Sequence, residues 1–263
     1  IASNLVASIG GAYVTGGLMH NCAITNNIAY HQNTSLGGGL RVAGGVVSNC
    51  AVIGNYAGDG GGGVSQSGGL VIRCLLTNNV CPAFNGNNGV DGGGGASITA
   101  GRMDNCLIVG NRMTSATANQ GGGIRLSGGS VVNCTVASNA VATATGVGGV
   151  YQTGGWVTNS IVYFNVRAAG PANVNGAVTN YAYSCAPELT PGGSGNLSAD
   201  PQFRSVAQMN YRLVPGSPCA NGGAVLPGMD AAVDLEGRRR IISGFPDLGC
   251  YESPVAGALF IVH

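Results

Sequence analysis

Residues 12–27 read AYVTGGLMHNCAITNN, and this sixteen-residue string returns five times without a gap. It recurs as LRVAGGVVSNCAVIGN at 40–55, VSQSGGLVIRCLLTNN at 64–79, ASITAGRMDNCLIVGN at 96–111, IRLSGGSVVNCTVASN at 124–139 and VYQTGGWVTNSIVYFN at 150–165. Variable segments of 12, 8, 16, 12 and 10 residues separate the copies. A repeat of this length marks a solenoid or array. Within a copy apolar residues alternate over short stretches broken by Gly-Gly: Ala12 and Val14, then Met19, then Cys22 and Ile24. That is a strand period, not a helical one. The reading is an all-β, right-handed parallel β-helix of about seven coils with an irregular C-terminal cap. Coils stacked about 4.8 Å apart bring the same position of every copy into one column.

The columns can then be read as sides of a rod. Leu40, Val64, Ala96, Ile124 and Val150 point inward from one strand, and Ile24, Val52, Leu76, Ile108, Val136 and Val162 from another. The glycine pair, replaced only by Ala100-Gly101 in the fourth copy, marks a bend that excludes a Cβ. Asn27, Asn55, Asn79, Asn111, Asn139 and Asn165 form a corner column, because asparagine tolerates left-handed backbone and stacked amides can bond along the axis. Five cysteines, Cys22, Cys50, Cys74, Cys106 and Cys134, share a column with Ser160. Without a CxxC or a nearby histidine they read as small inward side chains, not metal ligands, although bonding between adjacent coils stays open.

Composition excludes several classes. Glycine fills 48 of 263 positions with no every-third period, so collagen is out, and 44% hydrophobic residues exclude a disordered polymer. Net charge is +1 and all eleven basic residues are arginine, which is not the footprint of a nucleic-acid binder. No apolar run is long enough for a transmembrane helix. The start, IASNLVASIGGAYV, lacks a basic signal-peptide head and reads as part of a coil whose open strand edges would suit another subunit or further coils.

After residue 165 the pattern dissolves into YSCAPELTPGGSGNLSADPQF, YRLVPGSPCANGG, DLEGRRR and DLGCYE. This string resembles the closing segment of bacterial right-handed parallel β-helix surface proteins, of the form GNI-ADP-F, YRL-PGSP-IDAG, D-DG-PR and DIGAYE, often followed by an anchor. The GGG-(I/V/L) and (I/V)xxN motifs of the copies are similar to those of polymorphic outer-membrane proteins. The resemblance implies coils over residues 1–185, a capping segment over 186–253 and a tail or linker over 254–263. Cys219 and Cys250 depart together from the tail pattern, which implies a disulfide clamping the cap in an oxidising, secreted or cell-surface location. Cys81 and Cys185 take no assignment. The arginine run at 238–240 is expected to cap or solvate the end.

For chemistry, the outward columns matter. Tyr13, Arg41, Ser65, Ser97, Arg125 and Tyr151 form one, spanning roughly 24 Å at strand spacing. Arginines can pair with uronate carboxylates and tyrosines can stack on sugar rings. Five residues before each copy lies a column holding Asp59 and Asp91 on successive coils. Two carboxylates about 5 Å apart would suit a retaining hydrolase or a Ca²⁺ site, the one cofactor this chain suggests. Equally, both are turn residues ahead of a glycine run. A lyase base is hard to find, since there is no lysine and His20 and His31 lie in different segments. A second outward column, Thr15, Ala43, Ser67, Thr99, Ser127 and Thr153, is too mixed for a flat ice-binding array. Trp156 faces outward as a sugar platform or a cover for the last coil, and the segment 80–90 with Phe84 is a protruding loop.

The reading is a non-enzymatic structural or adhesive β-helix, secreted or at the cell surface, contacting copies of itself, a surface protein or polysaccharide and assembling end to end. The alternative is a carbohydrate-active enzyme or binding module using the face near Asp59 and Asp91.

Overall fold

A computed structural model describes residues 1–31, 36–82, 92–114, 120–175, 180–192 and 194–254. It is a parallel β-helix. Three sheets, parallel but for the last pair of the second, Val166–Arg167 with Gly170–Pro171, enclose one core: a long sheet of eleven strands, a second of eight and a third of six, with a separate two-stranded hairpin near the C-terminus. The register is the one the repeats dictate. Tyr13 pairs with Arg41, Arg41 with Ser65, Ser65 with Ser97, Ser97 with Arg125 and Arg125 with Tyr151. Both inward columns are fully buried. The six strands of the third sheet, Ala23–Thr25 to Ile161–Tyr163, define five full turns, with partial turns at both ends, somewhat fewer than the seven coils expected.

The glycine pair lies within the long sheet, where it bends the chain between two hydrogen-bonded halves, such as Leu40–Val42 and Val46–Ser48. Its second member has positive φ, +70° at Gly45, and a Cβ there would lie 2.6 Å from the Gly16 carbonyl carbon one coil below. Where Ala100 replaces the first glycine, the ladder slips and Ser67 pairs with Ala100, a bulge that makes room for the methyl group.

The asparagine column is inward, not itself left-handed. The left-handed residue is the one before it: Asn26, Gly54, Asn78, Gly110, Ser138 or Phe164. Each column amide is fully or almost fully buried and bonded along the axis. Asn55 Nδ2 donates to Asn79 Oδ1 (3.0 Å), Asn79 to Asn111 (2.9 Å) and Asn111 to Asn139 (3.0 Å), while each Oδ1 also takes the backbone N–H of the asparagine below. The coil is narrow here. A Cβ on Gly63 would lie 2.9 Å from Asn79 Nδ2, and one on Gly95 3.0 Å from Asn111 Nδ2.

The cysteine column forms a parallel ladder. The N–H of Cys74 donates to Cys106 Sγ and that of Cys106 to Cys134 Sγ, both at 3.4 Å, and Cys134 N–H donates to Ser160 Oγ at 3.1 Å. Each thiol or hydroxyl donates in turn to the carbonyl two residues back, as Cys106 does to Asp104 and Ser160 to Thr158. Sulfur and oxygen therefore serve the same purpose at this site.

The C-terminal part does two jobs. Val174, Ala186 and Leu189 join the core and close the end of the helix. The chain then turns back along the outside of the six-stranded sheet. Tyr211, Cys250 and partly buried Leu235 and Tyr251 cover Leu107, Val109 and Ala137, with Cys250 N–H donating to Thr135 Oγ1 at 3.1 Å. The expected Cys219–Cys250 disulfide is not formed, and all nine cysteines are free thiols. Cys219 packs with Cys185, Leu213 and Leu248 at the end of the helix, whereas Cys250 faces the flank of the six-stranded sheet. Burial pushes the Cys250 thiol up to about 12, which keeps it protonated and inert. Cys81, previously without a role, packs with Met113 and Val141.

The ladder predicts that Cys106→Ser costs no more than about 1 kcal/mol, whereas Cys106→Val costs roughly 1–3 kcal/mol by leaving the buried Cys74 N–H without an acceptor. Urea unfolding of the two variants checks this; equal losses would contradict the polar role of the column.

Candidate functional site

The outer face of the long sheet carries the column singled out in the sequence. Tyr13 is 49% exposed, and the Arg41 guanidinium lies 4.8 Å from the centre of its ring, a cation–π contact worth about 0.5–1 kcal/mol at such a site. Arg125 and Tyr151 are adjacent and half-buried three and four coils further on, and Ser97 between the pairs is buried. The face thus offers two arginine–tyrosine pairs with a small-residue floor between them. Beside it runs the column Leu18, Val46, Leu70, Arg102, Ser130 and Trp156. Trp156 is 59% exposed, in keeping with its outward position. Arg102 is held by Asp104, whose other oxygen accepts from Asn105 and Asn133 Nδ2. His20 Nδ1 lies 2.7 Å from Ser48 Oγ on the next coil.

Asp59 is not on this face. It is 5% exposed, and its Oδ1 accepts the Gly60 N–H at 2.8 Å, so the carboxylate serves the turn into the glycine run. Alternation counted outward from a strand fails at a corner, which is why the sequence placed it in solvent. Asp91 and Phe84 lie outside the described residues. Among the described residues no group of three or more His, Cys, Asp or Glu side chains could hold a metal ion.

A second polar constellation, not anticipated as such, sits in the C-terminal segment. Arg240 is wholly buried instead of solvating the end: Nη1 donates to Gly249 O (2.9 Å), Nη2 to Asp247 O (2.7 Å), and Glu252 lies 3.2 Å away. Asp234 accepts the N–H groups of Glu236, Arg238 and Glu252. Asp247 accepts those of Asn221 and Ser253, and Glu252 accepts that of Asp247. The DLEGRRR and DLGCYE strings are therefore a buried knot of charge-assisted bonds that folds the segment back on itself. Burial raises Glu252 to about 9, against the pull of Arg240 and with the push of Asp247 and Asp234. Glu252 holds its proton at neutral pH.

No family model matches the chain, and no curated protein matches it. Among solved structures, the crystal structure of pectate lyase Pel9A aligns with a TM-score of 0.49 and 16% sequence identity, over 95% of this chain and 69% of that one, a likeness too distant to carry an activity.

A carboxyl raised in the fold stabilises it most below its ordinary value and loses that contribution as pH rises towards the folded value. Wild-type stability relative to Glu252→Gln should therefore fall between pH 4.5 and about 9. Urea unfolding across that window measures it; a difference that stays constant or grows with pH would contradict the buried protonated acid.

Proposed function

We propose that this chain is a non-enzymatic structural and adhesive β-helix of a secreted or cell-surface protein, using the outer face of its long sheet as the contact surface. The observation that supports it best is the in-register column Tyr13, Arg41, Ser65, Ser97, Arg125 and Tyr151, with Tyr13 exposed and both arginines half-buried on that face, while Asp59 is withdrawn into a turn. Stacked coils make a stiff rod. Guanidiniums and phenol rings about 14–24 Å apart along it suit an extended anionic polysaccharide, pairing with carboxylates and stacking on rings. The resemblance of the tail to that of bacterial β-helix surface proteins, and of the repeat motifs to those of polymorphic outer-membrane proteins, fits the same location. No helix among the described residues is long and apolar enough to cross a membrane.

Association between copies fits the outermost strands of the long sheet, Ala12–Val14 and Leu18–His20, each paired on one side only. Leu18 is 68% exposed there. Such an edge is a template for a further strand.

Retention of the wild type on a polyuronate matrix, compared with the double variant Arg41→Ala/Arg125→Ala, tests the face. The variant should bind at least about tenfold more weakly, the loss expected for two charge-assisted contacts, while the chain stays folded. Equal retention would overturn the assignment of the face. Release of new reducing or unsaturated ends by the wild type would overturn the non-enzymatic reading in favour of a carbohydrate-active enzyme.

A further inference from the structure

Two cavities of about 450 and 310 Å³ open side by side in the C-terminal segment, sharing Arg204, Leu213, Glu252, Ser253 and Pro254 as walls. Their size is that of small-ligand sites. Most polar groups around them already have partners. Arg212 and Arg238 both reach Glu236, and Arg212 also lies over the Tyr251 ring. The Asp247 oxygens are taken by the Asn221 and Ser253 amides, and Glu252 faces Arg240.

Two groups differ. Arg204, on the strand Phe203–Ser205, is exposed and makes no hydrogen bond or ion pair among the described residues. Ser253 Oγ is buried with no hydrogen-bond partner among them. A buried hydroxyl in that condition destabilises the fold, and a ligand atom would give it a partner. Of the guanidiniums that line the cavities, Arg212 and Arg238 are paired with Glu236, which leaves Arg204 to meet an anion. Pro215, Ile242 and Pro254 supply apolar wall beside it.

We propose that this double cavity binds a small monoanion bearing a carboxylate on a partly apolar ring, a free sugar acid, with Arg204 holding the carboxylate and Ser253 Oγ bonding a ring or hydroxyl oxygen. A planar guanidinium fork matches a carboxylate in two parallel bonds. The site lies in the segment that covers the six-stranded sheet and does not depend on the polysaccharide reading of the long sheet.

Calorimetric titration of the full chain with sodium glucuronate, beside glucose and inorganic phosphate, tests it. Glucuronate should saturate one site, with glucose and phosphate each at least about tenfold weaker. Arg204→Ala, which removes no hydrogen bond or ion pair among the described residues, should lose at least about tenfold in affinity without a change in melting, and Ser253→Ala should weaken binding severalfold. Arg41→Ala/Arg125→Ala should leave this binding unaltered. No saturable binding of glucuronate, glucose binding equally well, or full affinity in Arg204→Ala would overturn the site. Phosphate binding as tightly as glucuronate would overturn the carboxylate assignment, and loss of binding in the Arg41→Ala/Arg125→Ala variant would overturn the location.

Discussion

The fold depends on a single file of side-chain amides. Asn27, Asn55, Asn79, Asn111, Asn139 and Asn165 are buried, and a buried amide without partners costs roughly 1–3 kcal/mol. Each is satisfied by the neighbouring coils on both sides, donating to the next asparagine of the column and to a backbone carbonyl of the coil before, as Asn55 does to Asn79 Oδ1 and Ile24 O, so the coils must stack at strand spacing and in one register. The file has a direction. Between side-chain amides every bond runs towards the C-terminus, from Asn4 Nδ2 to Asn27 at the start and from Asn165 Nδ2 to Asn173 at the end. A one-way chain of donors needs a final acceptor, and it ends on the Glu188 carboxylate, which receives both the backbone N–H and Nδ2 of Asn173.

The glycine runs and the C-terminal segment follow from that constraint. With an amide at every level of the core, the opposite wall must approach closely, and the glycines at 63 and 95 leave the space that the Asn79 and Asn111 amides fill. The six-stranded sheet is apolar on both faces where it is covered: Leu107, Val109 and Ile161 face outward yet are buried under the returning chain. A sheet buried on both sides reads as a continuous apolar run. In the first two copies the equivalent outward residues are Ala23 and Ala51, and neither lies in the apolar clusters under that segment. The knot around Arg240 and Glu252 holds the cover in place with polar side chains that bond mainly to backbone.

The sequence was most legible where like stacks on like. Both inward columns, the outward Tyr13–Tyr151 column and the cysteine column could be read from six aligned copies, because identical positions make identical contacts. It was least legible where the period stops. Asp59 precedes a corner, so strand alternation could not say which way its carboxylate turns. Cys219 and Cys250 lie in irregular chain, where pairing depends on side-chain direction and not on spacing; Cys219 turns to Cys185 and Cys250 to Leu107. The left-handed residues were placed one position late, on Asn27 instead of Asn26, since asparagine occupies both sites in the first copy. The cover of the six-stranded sheet did have a signal, the outward Leu75, Leu107 and Ile161, which alternation alone marks as misplaced. Arg204 and Ser253 had none, because a cavity formed by an irregular segment leaves no periodic trace.

The amide file is tested most directly by hydrogen exchange of the asparagine side-chain Nδ2 groups, resolved by nitrogen-15 spectra of the folded chain. The account predicts that Asn55, Asn79, Asn111 and Asn139 exchange only through opening of the coils, as slowly as the most protected backbone amides of the long sheet. Exchange of these four groups at the rate of a free asparagine amide would mean that the coils are held together by something else.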